Sequence, residues 1–208
     1  PMTPQPQYLA FLDGSGGRYT KDKRIRSVGW AWVQYLEVGH IGEYGNIIGK
    51  QTVPQSEKQA LLSFLNACKR GTTGVYTVYT DAIVVYKGWH NIEALTKTQT
   101  IWWQIHEARK ALSEKGTSIV LRKVKSHATQ EQMDQGLSSP ILKRGNDLAD
   151  HYAALGAKLH EYEEMEASMV GRIDAMTWNI QKRLLHITAH YLEPRQKHPP
   201  IQGPRRSY

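Results

Sequence analysis

The sequence predicts an α/β protein, a mixed five-stranded sheet flanked by helices, with a C-terminal amphipathic helix added. Three observations support this. Runs rich in β-branched and aromatic residues recur along the first 125 residues. The first three follow each other through short connections, as in an antiparallel meander, whereas the later ones are separated by helical patterns, as parallel crossovers require. Beyond Ala157 the pattern changes to one long helical stripe.

Taken in order, Tyr8 to Leu12 is almost wholly apolar and reads as a strand covered on both faces, ending on Asp13 before the turn Gly14-Ser15-Gly16-Gly17. Asp-Gly is a common turn pair, and a carboxylate held at the rim of a core is also a good metal ligand, so both readings of Asp13 stand. Ser27–Tyr35 reads as a second strand and Gly42–Lys50 as a third. Pro54 to Arg70 is helical, with Ala60, Leu61, Phe64, Leu65 and Cys68 on one face. Glu57 lies one turn before Leu61, at the edge of that buried stripe, where the helix dipole alone also favours an acid. Val75–Thr80 is a strand delivering Asp81 to its end, and Asp81 can alternatively cap the helix Ala82–Trp89. Thr98–Glu114 is a long helix and Ile119–Val124 the fifth strand. After a polar loop carrying His127 and an irregular run to Arg144, a helix is expected from Gly145, capped by Asn146, with Asp150 about one turn inside.

The chain has 208 residues, 40% hydrophobic and 22% charged, which suits one sizeable core plus an extension. No apolar run is long enough to span a bilayer. The single Cys68 excludes an internal disulfide and, on the apolar face of its helix, reads as a core thiol. The net charge of +8 favours a polyanionic partner, chiefly nucleic acid. No zinc site, phosphate-binding loop or dinucleotide fingerprint is present in the sequence.

Asp13, Glu57, Asp81 and Asp150 come from two strand ends and two early helix turns, positions that an α/β sheet can gather at one edge. Packed together, such carboxylates repel unless divalent cations neutralise them, and hard oxygen ligands suit Mg²⁺ or Mn²⁺. Two such ions about 4 Å apart can drive phosphodiester hydrolysis.

The motifs Phe11-Leu12-Asp13-Gly14-Ser15, Ser56-Glu57-Lys58-Gln59-Ala60-Leu61, Tyr79-Thr80-Asp81, Val124-Lys125-Ser126-His127-Ala128 and Gly145-Asn146-Asp147-Leu148-Ala149-Asp150 together resemble type 1 ribonuclease H, in order and in spacing, over roughly residues 7–156. The resemblance implies a ribonuclease H-like domain over residues 7–157. It implies an endoribonuclease cutting the RNA strand of RNA–DNA hybrids with two Mg²⁺ ions, to 5′-phosphate and 3′-hydroxyl ends. It implies that Asp13 bridges the ions, that Asp150 helps hold the one activating water, that Glu57 and Asp81 hold the other, and that His127 assists proton transfer or product release. The chain departs from the pattern at Ala82, where many relatives have Ser, and before Glu57, where Val53-Pro54-Gln55-Ser56 lacks a hybrid-contacting Asn. The link from Gly88 to Thr98 carries no basic cluster, so the substrate-binding protrusion of bacterial relatives is not expected. A retroelement origin fits that missing protrusion.

Residues 158–193 form the predicted amphipathic extension. Met165, Met169, Ile173, Met176, Ile180, Leu184, Ile187 and Tyr191 lie on a heptad-like stripe that either folds back on the domain or docks another protein. Residues 194–208 are a basic, proline-rich tail. The extension and tail suit an alternative function, a ribonuclease H-like domain recruited as a structural, RNA-contacting subunit of a large ribonucleoprotein such as a ribosome. A third alternative is another nuclease of the same superfold, such as an integrase or resolvase; the Asn146–Asp150 motif and the His127 loop favour ribonuclease H over it.

Overall fold

The structure, a computed structural model, describes residues 3–126 and 139–197. It divides into two compact units, Pro1–Glu161 and Tyr162–Tyr208. The first contains strands β1 (Ala10–Ser15), β2 (Gly29–Tyr35), β3 (His40–Asn46), β4 (Val75–Thr80) and β5 (Ser118–Lys123). Its helices are α1 (Val53–Cys68), α2 (Ile83–His90), α3 (Ile92–Thr96), α4 (Thr100–Glu114) and α5 (Pro140–Lys158). The second is built on α6 (Glu164–Lys197).

The sheet runs β3-β2-β1-β4-β5. The connections over residues 16–28 and 36–39 carry no helix and leave β1/β2 and β2/β3 antiparallel, and the crossovers through α1 and through α2–α4 make β1/β4 and β4/β5 parallel. This is the mixed five-stranded sheet that the sequence predicts. β1 is central and buried on both faces, which explains its unbroken apolar run. Ala10 and Leu12 join the main core with Leu61, Phe64 and Leu65 of α1 and with Trp102 and Ile105 of α4. Phe11 points the other way and packs with Val33 and with Ala149 of α5. Phe11 and Leu12 are fully buried, each contributing about 1.5–3 kcal/mol of apolar burial. α5 lies almost directly on the sheet. A Cβ added to Gly29 would sit 2.1 Å from the Ala153 carbonyl oxygen, and one on Gly145 would sit 2.2 Å from the Phe11 ring. Cys68 is buried and free, its thiol pushed up to about 12 by burial, as a core thiol requires. Among the described residues no helix is long and apolar enough to cross a membrane.

Most boundaries shift by one or two residues, and some differences from expectation are larger or matter more for the site. β1 does not end at Leu12: Asp13, Gly14 and Ser15 continue the antiparallel ladder opposite Ala31, Trp30 and Gly29. β3 begins at His40 and ends at Asn46, because its register is set by pairing with β2 and not by its own apolar residues. The Gly88–Thr98 link contains α3. Most consequential, α5 starts at Pro140, not Gly145. Ser139 caps it, its Oγ accepting from the Leu142 amide at 3.4 Å, with proline in the first turn. Asn146 is therefore inside the helix and caps nothing, and Asp150 lies nearly three turns in.

Candidate metal centre

Strand register places two of the acids. The parallel β1/β4 ladder ends at the pair Leu12–Thr80, so Asp13 and Asp81 are the next residues, side by side. One alternation earlier Phe11 and Tyr79 stack with centroids 5.5 Å apart, in the core that faces α5. By the same alternation Asp13 and Asp81 continue that row toward α5. Ala82 occupies the N-cap position of α2, so Asp81 is left free of a capping role.

Glu57 comes from α1 on the opposite side of the sheet. Gly14 makes the approach possible: a Cβ there would lie 2.5 Å from Ser56 Oγ and 2.7 Å from the Glu57 amide nitrogen. Asp13, Glu57 and Asp81 each place a carboxylate oxygen within 4.8 Å of the others. Asp13 and Glu57 are both only 6% exposed, and Asp81 is half-buried.

This clustering distorts ionisation. Burial, followed by the Asp81 charge, raises Asp13 from 3.8 to about 8; the Gly14 N–H, donating to Asp13 Oδ1 at 2.7 Å, opposes the shift, and Asp150 adds to it. Glu57 is raised well above its ordinary value, first by burial and then by Asp13 and Asp81. Lys58 follows Glu57 in sequence but its Nζ donates to Gln99 Oε1 at 3.2 Å, tying α1 to the start of α4. Glu57 Oε2 is buried with no hydrogen-bond partner. Three converging hard oxygen donors, one of them with an unused buried lone pair, fit a divalent cation.

Of the five residues singled out from sequence, the structure gathers Asp13, Glu57 and Asp81. Asp150 is exposed on α5, close enough for its charge to act on Asp13 but outside the tight group. His127 lies outside the described residues. One contributor is a residue that the sequence alone casts as a helix cap. Asn146 is 2% exposed, and its Nδ2 donates to Asp81 Oδ2 at 3.4 Å, while its Oδ1 is buried without a partner. The available signal was Ser139-Pro140, a helix start, which puts Asn146 one turn before Asp150 on the same face.

No protein-family profile matches the chain, and no curated protein matches it. Solved structures do. The RNase H domain of PFV, solved in solution, superposes with a TM-score of 0.55 at 20% identity, over 75% of this chain and 97% of that one. The chain has the ribonuclease H-like fold. LC9-RNase H1, a type 1 enzyme with the type 2 active-site motif, matches with a TM-score of 0.54 at 15% identity, over 77% of this chain and 76% of its own. In prototype foamy virus protease-reverse transcriptase the match has a TM-score of 0.54 at 19% identity and covers 76% of this chain but 22% of that much longer one. The three gathered acids thus converge beside the end of the parallel β1/β4 ladder of a ribonuclease H-like fold, Asp13 from β1, Asp81 just after β4 and Glu57 from α1.

Proposed function

We propose that the chain is a divalent-cation-dependent nuclease that hydrolyses the RNA strand of RNA–DNA hybrids. The observation that supports this most strongly is the Asp13–Glu57–Asp81 cluster, with Asp13 and Glu57 buried, in a ribonuclease H-like fold. An LC11-RNase H1 structure of the same fold, with a TM-score of 0.50 at 13% identity, over 73% of this chain and 96% of that one, is a complex with an RNA/DNA hybrid. The +8 charge suits a polyanionic substrate.

In this reading Asp13, Glu57 and Asp81 would hold divalent cations such as Mg²⁺ or Mn²⁺, with Asp150 as a further carboxylate ligand. Bound ions would supply Lewis acidity and a water of lowered pKa. The chain's own residues prepare the place. Asp13 and Glu57 give up the protons that burial lets them keep, so acid competes with cation binding. The Gly14 amide fixes one Asp13 oxygen, and the Asn146 amide fixes one Asp81 oxygen. The stacked Phe11 and Tyr79 keep β1 and β4 in register beneath the acids. Hydrolysis joins the water oxygen to phosphorus and breaks the bond from phosphorus to the 3′ oxygen. That oxygen takes up a proton, leaving a 3′-hydroxyl and a 5′-phosphate. His127 is assigned to moving that proton or releasing product.

The test is cleavage of an end-labelled RNA–DNA hybrid with and without Mg²⁺, by the wild type and by Asp81→Asn. Cation-dependent cutting of the RNA strand alone, lost in the variant, is expected. Binding without cutting by folded wild type would overturn the catalytic reading in favour of a structural RNA-contacting role. Cutting of the DNA strand would favour an integrase- or resolvase-like activity.

A further inference from the structure

α6 has 34 residues and so spans about 51 Å. Met165, Met169 and Ile173 follow each other at steps of four, and Met176 comes after three. Ile180 and Leu184 follow at four, Ile187 after three and Tyr191 after four. The stripe therefore repeats every eleven residues, about 3.67 per turn, and not every seven as the heptad-like reading has it. Such a stripe runs nearly straight along the helix, with a slight right-handed drift. Every one of its side chains is between 45% and 73% exposed.

The stripe is also nearly symmetric about Trp178. Met176 and Ile180 lie two residues to either side, Met169 and Ile187 nine, and Met165 and Tyr191 thirteen. Ile173 and Leu184 lie five and six away. Charge is divided about the same centre. Glu164, Glu166 and Asp174 outweigh Arg172 on the N-terminal side, and Lys182 and Arg183 make the C-terminal side basic.

We propose that α6 pairs antiparallel with α6 of a second copy of this chain, centred on residue 178. A two-fold interface requires a self-complementary surface, and a stripe that matches itself when reversed provides one. Antiparallel pairing sets the acidic half of each helix against the basic half of the other, whereas parallel pairing sets like on like. Trp178, Leu185 and Leu192 recur at sevens on the opposite flank, 67%, 71% and 53% exposed, and allow two such pairs to stack. The inference does not depend on the nuclease reading, but it would give each assembly two or four copies of the acidic centre and so an avidity advantage on a long polyanion.

Sedimentation or light scattering of the full chain tests it, expecting a mass of two or four chains that falls to one in Met176→Asp/Ile180→Asp. A monomer up to the solubility limit, or an oligomer unchanged by that double variant, overturns it. Orientation has its own test. Centring on residue 178 brings Arg172 near the partner's Arg183, a like-charge approach made twice by symmetry. Arg183→Glu should therefore tighten association by roughly tenfold, at about 0.5–1 kcal/mol per converted pair. Weaker or unchanged association in Arg183→Glu would overturn the antiparallel arrangement, and misfolding cannot imitate the expected gain.

Discussion

Asn146 and Asp81 meet across the sheet-to-helix boundary, the amide Nδ2 of Asn146 donating to Asp81 Oδ2 at 3.4 Å. Asp81 itself follows β4 with no helix cap to make, so its carboxylate is positioned largely from α5. That α5 comes close enough depends on Gly145 lying bare against the Phe11 ring. Helix packing and carboxylate orientation are thus coupled in consecutive residues.

Asn146→Ala should therefore weaken cation binding more than it weakens the fold. Partners that orient a ligand typically matter by about 10- to 100-fold in metal affinity or activity. The lost bond and the small cavity should cost about 1–3 kcal/mol. A titration of cleavage rate against Mg²⁺, with a urea melt in parallel, checks both numbers. Wild-type Mg²⁺ dependence in the variant would mean that Asp81 is held by its strand alone.

Gly145→Ala tests the approach of α5. The new methyl would fall on the Phe11 ring, within 2.2 Å of it, in a core with no room to spare. Overpacking of this kind costs about 1–3 kcal/mol, and α5 must lift to relieve it. Both a lower urea midpoint and a lower cleavage rate are expected, because Asn146 and Asp150 move with the helix. Gly171→Ala, on α6 where nothing lies within 4 Å of the added Cβ, is the control and should not destabilise the chain.

The fold was legible because its pattern is strong: an unbroken apolar run for the doubly covered β1, a meander and then crossovers for the sheet order. That three acids gather was legible too, since Asp13 lies on β1, Glu57 on α1 and Asp81 directly after β4, elements whose ends the sequence marks to within a few residues. What was not legible was contact across elements. Asn146 looks like a cap in a one-dimensional reading, because Asn beside Gly is a boundary signal. Only the seating of α5 on β1 and β2, set by bare glycines at Gly145 and Gly29, shows that it faces Asp81. The long reach of β1 past Asp13 was hidden for a similar reason: Gly14 marks close approach by α1, and the turn glycine is Gly17, at φ 64°.

Removing one charge should separate stability from activity. Asp81 raises the pKa of both Asp13 and Glu57, so the cation-free protein carries its repulsion as a cost. Asp81→Asn keeps the shape and removes the charge. In EDTA at about pH 8 its Tm should exceed that of the wild type by a few degrees, roughly the shift that about 1 kcal/mol gives a chain of this size. Hybrid cleavage should be lost in the same variant. A lower Tm would show that the Asn146 contact outweighs the repulsion.

The pH dependence of cation-free stability has a sign that follows from the same cluster. Asp13 binds its proton up to about 8 in the folded chain but only to about 3.8 when unfolded, and Glu57 is shifted in the same direction. Between those limits the folded state holds more protons than the unfolded one, so stability falls as pH rises. The contribution is complete below about pH 4 and is lost as pH passes through about 8. In EDTA, Tm should therefore decline from about pH 5 to about pH 8.5. Cation binding displaces the same protons, so Mg²⁺ should raise Tm more at the alkaline end than at the acid end. Thermal melts across that range, with EDTA or with Mg²⁺, check the slope and its reversal together. A flat EDTA profile would mean that Asp13 and Glu57 are ionised throughout and that something other than a bound cation already neutralises the cluster.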